Sequence, residues 1–195
     1  MSETLEALAE RLRSSDHNER SLAALALART RDPRALAPLI AALADADGPV
    51  RETAAAALGQ LGDARAVAAL VSLLQDEQTS VRFQAARALG QLGDARAAGP
   101  LAAALPDAAY SVRHAAAEAL GYLGSQAGEA LPALRAAARR GPDDSRWACA
   151  RAIRQIEEAL RSAPAELEAA AAPEGAGTEL EAELSAKLDS AHSSH

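Results

Sequence analysis

The chain repeats itself every 31 residues, and that period restricts its possible folds more than any other feature. The string GQLGDARA starts at Gly59 and again at Gly90, and GQLG becomes GYLG at Gly121. A Val-Arg pair recurs at Val50-Arg51, Val81-Arg82 and Val112-Arg113. One period earlier Arg20 matches Arg51, and DPRA at 32–35 matches DARA at 63–66. Pro38 and Pro100 stand two periods apart. Further along, the match needs two extra residues, after which SRWACARAI at 145–153 aligns with VRHAAAEAL at 112–120. A unit this short cannot bury its own apolar face, so each must stack on the next.

Each period reads as two helices. In the first, Val67, Leu70, Val71 and Leu74 fall at i, i+3, i+4 and i+7. In the second, near 80–92, the buried set is Val81, Ala85, Ala88, Leu89 and Leu92. Gly93-Asp94 ends it, and Asp94 caps the next helix, as Asp32 and Asp63 do in their repeats. The pairs Gly59/Gly62 and Gly90/Gly93 read as helix terminators. Extended in both directions, the pattern predicts helices near 2–14, 17–30, 33–44, 49–61, 64–75, 80–92, 95–105, 111–123, 127–140 and 144–161. The expected fold is all-α: a right-handed solenoid of five helix pairs spanning 1–162. Glu3, Glu6, Glu10 and Arg13 on the first helix, and the polar IRQIEEALR that ends the last, suit capping pairs.

Composition agrees. There are 55 alanines against one Phe, one Trp and two Tyr, which suits closely packed helices and not a thick sandwich. Scarce β-branched residues argue against sheets. The single cysteine excludes a disulfide framework and a cysteine-based structural metal site. No apolar run approaches the ~20 residues of a membrane span, and the first twelve residues are acidic, unlike a leader peptide, so a cytoplasmic protein without membrane contact is expected. The net charge of −7 is concentrated at one end: 163–195 holds seven acids and one base, whereas 1–162 holds 19 arginines against 20 acids. A near-neutral body lacks the electrostatic footprint of a nucleic-acid binder. Arginine almost to the exclusion of lysine, with so much alanine, suggests a GC-rich bacterial genome. The tail from Ala163 reads as a flexible linker followed by TELEAELSAKLD at 178–189, where Leu180, Leu184 and Leu188 form a helical stripe.

The D-x5-R pattern at Asp45/Arg51, Asp76/Arg82 and Asp107/Arg113, the proline in the first helix and VRxxAAxALGxLGD together resemble HEAT repeats. The match is to the short type named after phycobilisome lyases, also the parent of artificial α-helical repeat binders, over roughly residues 5–160. The resemblance implies an Asp–Arg ladder between repeats, with Arg82 as ladder partner of Asp76, and places the Val-Arg helices on the concave face. Ser14 and Arg140 replace the ladder aspartate at the two ends, so an incomplete ladder is expected there.

Helical arithmetic identifies the exposed face of those second helices independently. On 49–61, Pro49, Glu52, Thr53, Ala56 and Gln60 lie opposite the buried residues. One repeat on, the outward set is Ser80, Phe83, Gln84, Arg87 and Gln91; then Tyr110, Ser111, His114, Glu118 and Tyr122; then Asp144, Trp147, Arg151 and Gln155. The first repeat contributes His17, Ser21, Leu22, Leu25 and Arg29. Every aromatic residue of the chain falls on this surface. Phe83, His114 and Trp147 share one column, and Arg87, Glu118 and Arg151 a neighbouring charged one. Aromatics are favoured anchors of binding surfaces, although packing against the adjacent repeat also accounts for Phe83 and Trp147.

Catalytic chemistry is sparse. No histidine is followed by Glu, so the paired His-Glu motifs of chains resembling deoxyhypusine hydroxylase are missing, and no metal or cofactor is expected. His192 and His195 sit in the tail, and Cys149 reads as a small hydrophobe in an alanine column. The expected function is a non-catalytic, monomeric scaffold that binds a protein partner through Phe83, Arg87, Tyr110, His114, Glu118, Tyr122, Trp147 and Arg151. The alternative is a subunit like those of phycobilin lyases, holding a small aromatic ligand.

Overall fold

The computed structural model describes residues 4–140 and 143–171. The chain divides into two units after Leu160. Helices α1 (Leu5–Arg11) and α2 (His17–Thr30) make the first pair, and α3 (Leu36–Ala42) and α4 (Gly48–Leu61) the second. Then come α5 (Val67–Ser72) with α6 (Thr79–Leu92), α7 (Ala98–Ala104) with α8 (Tyr110–Leu123), and α9 (Leu131–Arg140) with α10 (Asp143–Ala171). No strand occurs among the described residues. The architecture is the expected α-solenoid.

The first helices are shorter than the periodicity implied because tight 3₁₀ turns lead into them at Pro33–Ala35, Ala64–Ala66 and Ala95–Ala97. Asp32, Asp63 and Asp94 each accept the backbone N–H two residues on at 2.9 Å, confirming them as caps. The same carboxylates grip Arg34, Arg65 and Arg96. Ser125 replaces this aspartate in the last repeat, and a longer 3₁₀ stretch, Gly124–Ala130, precedes α9. Helix α10 reaches Ala171, through Ala/Glu/Leu-rich residues read as the start of the linker. The stripe at 178–189 lies outside the described residues.

Two leucine columns fill the core. Leu27, Leu58, Leu89 and Leu120 on the second helices, and Leu39, Leu70, Leu101 and Leu134 on the first, are all 0% exposed. Each such burial contributes about 1.5–3 kcal/mol. Between the leucines the chain keeps alanine, which lets α2, α4, α6 and α8 pack directly on one another. At the closest points even alanine is too large. A Cβ on Gly59 would lie 3.0 Å from the Ala88 Cα, and one on Gly90 2.9 Å from the Ala119 Cα. Gly59 and Gly90 are therefore contact glycines and not terminators. Gly62 (φ 76) and Gly93 (φ 65) do terminate helices, in the left-handed region, and the first repeat fills that position with Arg31 at φ 52.

The Asp–Arg ladder is present, but its direction corrects the expectation. Arg51 donates through Nε and Nη2 to Asp76 at 2.8 and 2.9 Å. Its Nη1 meanwhile donates to the carbonyls of Asp45 and Ala46, 2.9 and 3.1 Å away. Arg20 holds Asp45 and Arg82 holds Asp107 in the same way. Arg82 thus reaches forward to Asp107, and Asp76 meets it only through a backbone carbonyl. Each ladder carboxylate also accepts a backbone N–H two residues on, from Asp47, Gln78 and Ala109. One carboxylate therefore joins two repeats and shapes the turn into the second helix. At the ends Ser14 keeps the turn role, its Oγ accepting the Asp16 N–H at 3.2 Å and donating to Glu19 Oε2 at 2.6 Å, and Arg113 donates to Ser145 Oγ at 3.3 Å. The Arg140 side chain lies outside the described residues.

Candidate functional site

The predicted outward residues do share the exposed side of the second helices, with one correction. Gln84 is buried, because position 84 faces the neighbouring repeat, where the equivalents Ala115 and Ala148 are also buried. Its amide oxygen accepts from Arg87 at 3.4 Å. Asp144 lies outside the described side chains. Leu22, 58% exposed, marks the first-repeat end of the face.

The aromatic residues separate by burial. Phe83 is half-buried against the core, as the packing explanation requires, and the Arg87 guanidinium lies over its ring at 5.7 Å. Tyr110, Tyr122 and Trp147 are 47%, 58% and 60% exposed. His114 joins two of them. Its ring lies 5.5 Å from that of Tyr110, whose hydroxyl is 3.4 Å from Nδ1, and stacks on Trp147 at 6.1 Å with an interplanar angle of 12°. Arg151 covers another part of Trp147, 5.7 Å from the ring centroid. The result is a shelf in which rings from α8 and α10 continue one another.

A second group lies beside it. The Tyr122 hydroxyl donates to Glu118 Oε1 at 3.0 Å, and Arg151 approaches the same oxygen at 3.9 Å. The bond to this carboxylate, with lesser help from burial, raises the Tyr122 phenol above its ordinary pKa. Arg87, Gln91, Glu118 and Tyr122 line a cleft of about 170 Å³ between α6 and α8, floored by Ala115 and Ala119. Glu118 also lines the adjoining, much smaller cleft between α8 and α10, with His114, Trp147, Arg151 and Gln155. The small residues at the helix contacts form these floors: Tyr122 leans over Gly90, its ring carbon 3.6 Å from where a Cβ would stand.

Among the described residues no three His, Cys, Asp or Glu side chains converge as metal ligands. Cys149 is 1% exposed and burial pushes its thiol pKa up, which disfavours the nucleophilic thiolate. Among the described residues no helix is long and apolar enough to cross a membrane.

Stacked helix pairs joined by a repeating ion-pair ladder define an α-helical repeat protein. Comparison with known families makes this specific: the HEAT-repeat model matches residues 1–56, 36–111 and 67–154, and the chain belongs to that family. No curated protein matches it. Among solved structures it resembles the complex of CpcE and CpcF of phycocyanin lyase from Nostoc sp. PCC7120, at 32% identity and a TM-score of 0.69. That match covers 81% of this chain and 66% of the other, so the chain spans just under two thirds of its relative's length. An engineered protein matches at 25% identity and TM-score 0.59, over 93% of this chain and 96% of its own. A designed armadillo repeat protein in complex with the peptide (KR)4 shares the fold at 23% identity and TM-score 0.61, covering 78% and 81%.

Proposed function

We propose that the chain is a non-catalytic scaffold that holds a protein partner on the exposed face of its second helices. The observation that carries this reading is the placement of the aromatic residues. An alanine-leucine core has no need of them, yet Tyr110, Tyr122 and Trp147 stand 47–60% exposed on one face, joined through His114. Rigid aromatic side chains lose little entropy on binding and are the commonest energetic anchors of interfaces. Arg87, Glu118 and Arg151 beside them supply orientation. The likeness to the CpcE–CpcF complex, itself an assembly of two proteins, supports a protein partner.

That likeness also favours a second reading, an enzyme-associated subunit that holds a flat conjugated ligand on the His114–Trp147 shelf. The buried Cys149 offers no exposed thiol for such a ligand.

The test is affinity capture from the source organism with the wild-type chain and a Tyr110→Ala/Trp147→Ala variant side by side. A partner held by wild type and lost by the variant supports the scaffold. Equal recovery of every protein by both baits overturns it. A visible absorption band that copurifies with wild type alone supports the ligand-holding subunit.

A further inference from the structure

We infer that the two adjoining clefts take an acidic, apolar-anchored protein segment in polyproline II form. A carboxylate meets Arg87 between α6 and α8, and an apolar side chain three residues along, on the same face of the segment, lies on Trp147 and His114. This rests on the reading of the face as a protein-binding surface and adds the chemistry of the partner.

The argument is one of charge already spent and charge left over. Three ionised side chains line the two clefts: Arg87, Glu118 and Arg151. Glu118 is occupied, accepting from the Tyr122 hydroxyl at 3.0 Å with Arg151 at 3.9 Å. Arg87 is not. It lies over Phe83 and shares one long hydrogen bond with Gln84, and no carboxylate reaches ion-pair distance of it among the described residues. By contrast, Arg20, Arg34, Arg51, Arg65, Arg82 and Arg96 all hold aspartates, and Arg151, the other arginine of the clefts, approaches Glu118. The ring beneath Arg87 restrains its guanidinium at the cleft mouth, and Gln91 adds an amide beside it. A lysine-bearing segment would meet Arg87 as a like charge and find the lining carboxylate engaged. A carboxylate-bearing one would complete the cleft.

The spacing selects the second anchor. The clefts lie on either side of α8, one helix spacing apart, about 8–10 Å. A polyproline II chain covers that distance in three residues at ~3.1 Å each and, with three residues per turn, brings the third back to the same face. Trp147 then receives the apolar side chain on its exposed ring.

The probes are two capped octapeptides in a proline-rich background, which favours polyproline II. One carries a glutamate with a leucine three residues later, and the other has lysine in place of the glutamate. Trp147 is the chain's single tryptophan, so its fluorescence reports the shelf directly. The glutamate peptide is expected to shift that fluorescence saturably, Arg87→Gln to weaken its binding about tenfold, and Glu118→Gln to tighten it. Equal binding of the lysine peptide, or unchanged binding to R87Q, overturns the inference. Neither peptide shifting the fluorescence also overturns it. If the capture experiment still separates wild type from its aromatic variant, only the acidic chemistry falls; if capture fails too, the binding face falls with it.

Discussion

Arg82 closes on Asp107 of the following repeat, Nε to Oδ2 at 2.8 Å and Nη2 to Oδ1 at 3.1 Å. Both side chains are largely buried, at 15% and 12% exposure. Removing one partner leaves the other desolvated and underbonded, so Arg82→Ala is expected to destabilise the fold by about 1–3 kcal/mol. A double-mutant cycle checks the direction of the ladder. Arg82→Ala should couple to Asp107→Ala by more than it couples to Asp76→Ala, whose carboxylate belongs to Arg51. Stronger coupling to Asp76 would reverse the ladder.

The ladder and cap carboxylates also set the response to acid. Side-chain bonds from Arg65 and Arg96, then those residues' backbone N–H groups, hold Asp63 and Asp94 at about 2. Asp45 and Asp76 are lowered chiefly by Arg20 and Arg51. Asp107 is also lowered, against burial, its largest single influence, because Arg82 and the Ala109 N–H together outweigh it. A carboxylate with a depressed folded pKa binds fewer protons folded than unfolded. Its stabilisation is fully present above the unfolded value of about 3.9 and is lost as pH falls through the folded one. Tm is therefore expected to be flat above about pH 5 and to drop between about 4 and 2, less steeply in Asp63→Asn/Asp94→Asn. An acid transition that starts near pH 6 would assign it to other groups.

The period made most of this fold readable, and it also explains what stayed hidden. A repeat shows which residues are equivalent but not which neighbour each one touches. Asp76 stands six residues before Arg82 and Asp107 stands 25 after it, and both belong to the same column. Gly59 and Gly90 resemble terminators in sequence because they stand three residues before Gly62 and Gly93; only the packing of Ala88 and Ala119 separates the two roles. Gln84 looked exposed on a helical wheel of one helix, since a wheel contains no adjacent repeat. The outward residues were legible as columns. Their connections across repeats, the His114–Trp147 stack and the Glu118–Arg151 pair, depend on spacing between helices that no single repeat encodes.

Gly90 and Gly99 should respond to alanine in opposite ways. In an open helix the change stabilises by up to about 1 kcal/mol. Gly99, on α7, has nothing within 4 Å of where a Cβ would stand, so Gly99→Ala is expected to raise stability. A Cβ on Gly90 would stand 2.8 Å from the Ala119 Cβ, so Gly90→Ala is expected to cost about 1–3 kcal/mol as α6 and α8 are forced apart. Urea unfolding of the two variants decides it, and a stabilised G90A would show that the helices part without cost.

Arg31 occupies the left-handed position that Gly62 and Gly93 fill in later repeats. A side chain there strains the backbone, while glycine adopts the same φ of 52° freely. The strain relieved exceeds the extra unfolded-state entropy of glycine, so Arg31→Gly is expected to stabilise by about 0.5–1 kcal/mol. Gly62→Ala, at φ 76, should shift Tm the other way. Equal Tm values for both variants and wild type would mean that the helix ends relax without cost.

The shelf can be tested without any partner. His114 lies against Trp147 with ring centroids 6.1 Å apart and planes 12° from parallel, so the imidazole shields part of the indole from water. Truncating it uncovers that part of the ring. The emission of Trp147 is therefore expected to move to longer wavelength in His114→Ala and to be quenched more readily by acrylamide, while His17→Ala, on α2, should leave the wild-type spectrum unchanged. Because the chain has one tryptophan, no other indole contributes to the signal. An H114A protein with the wild-type spectrum and quenching would separate the two rings and remove the shelf from the proposed binding face.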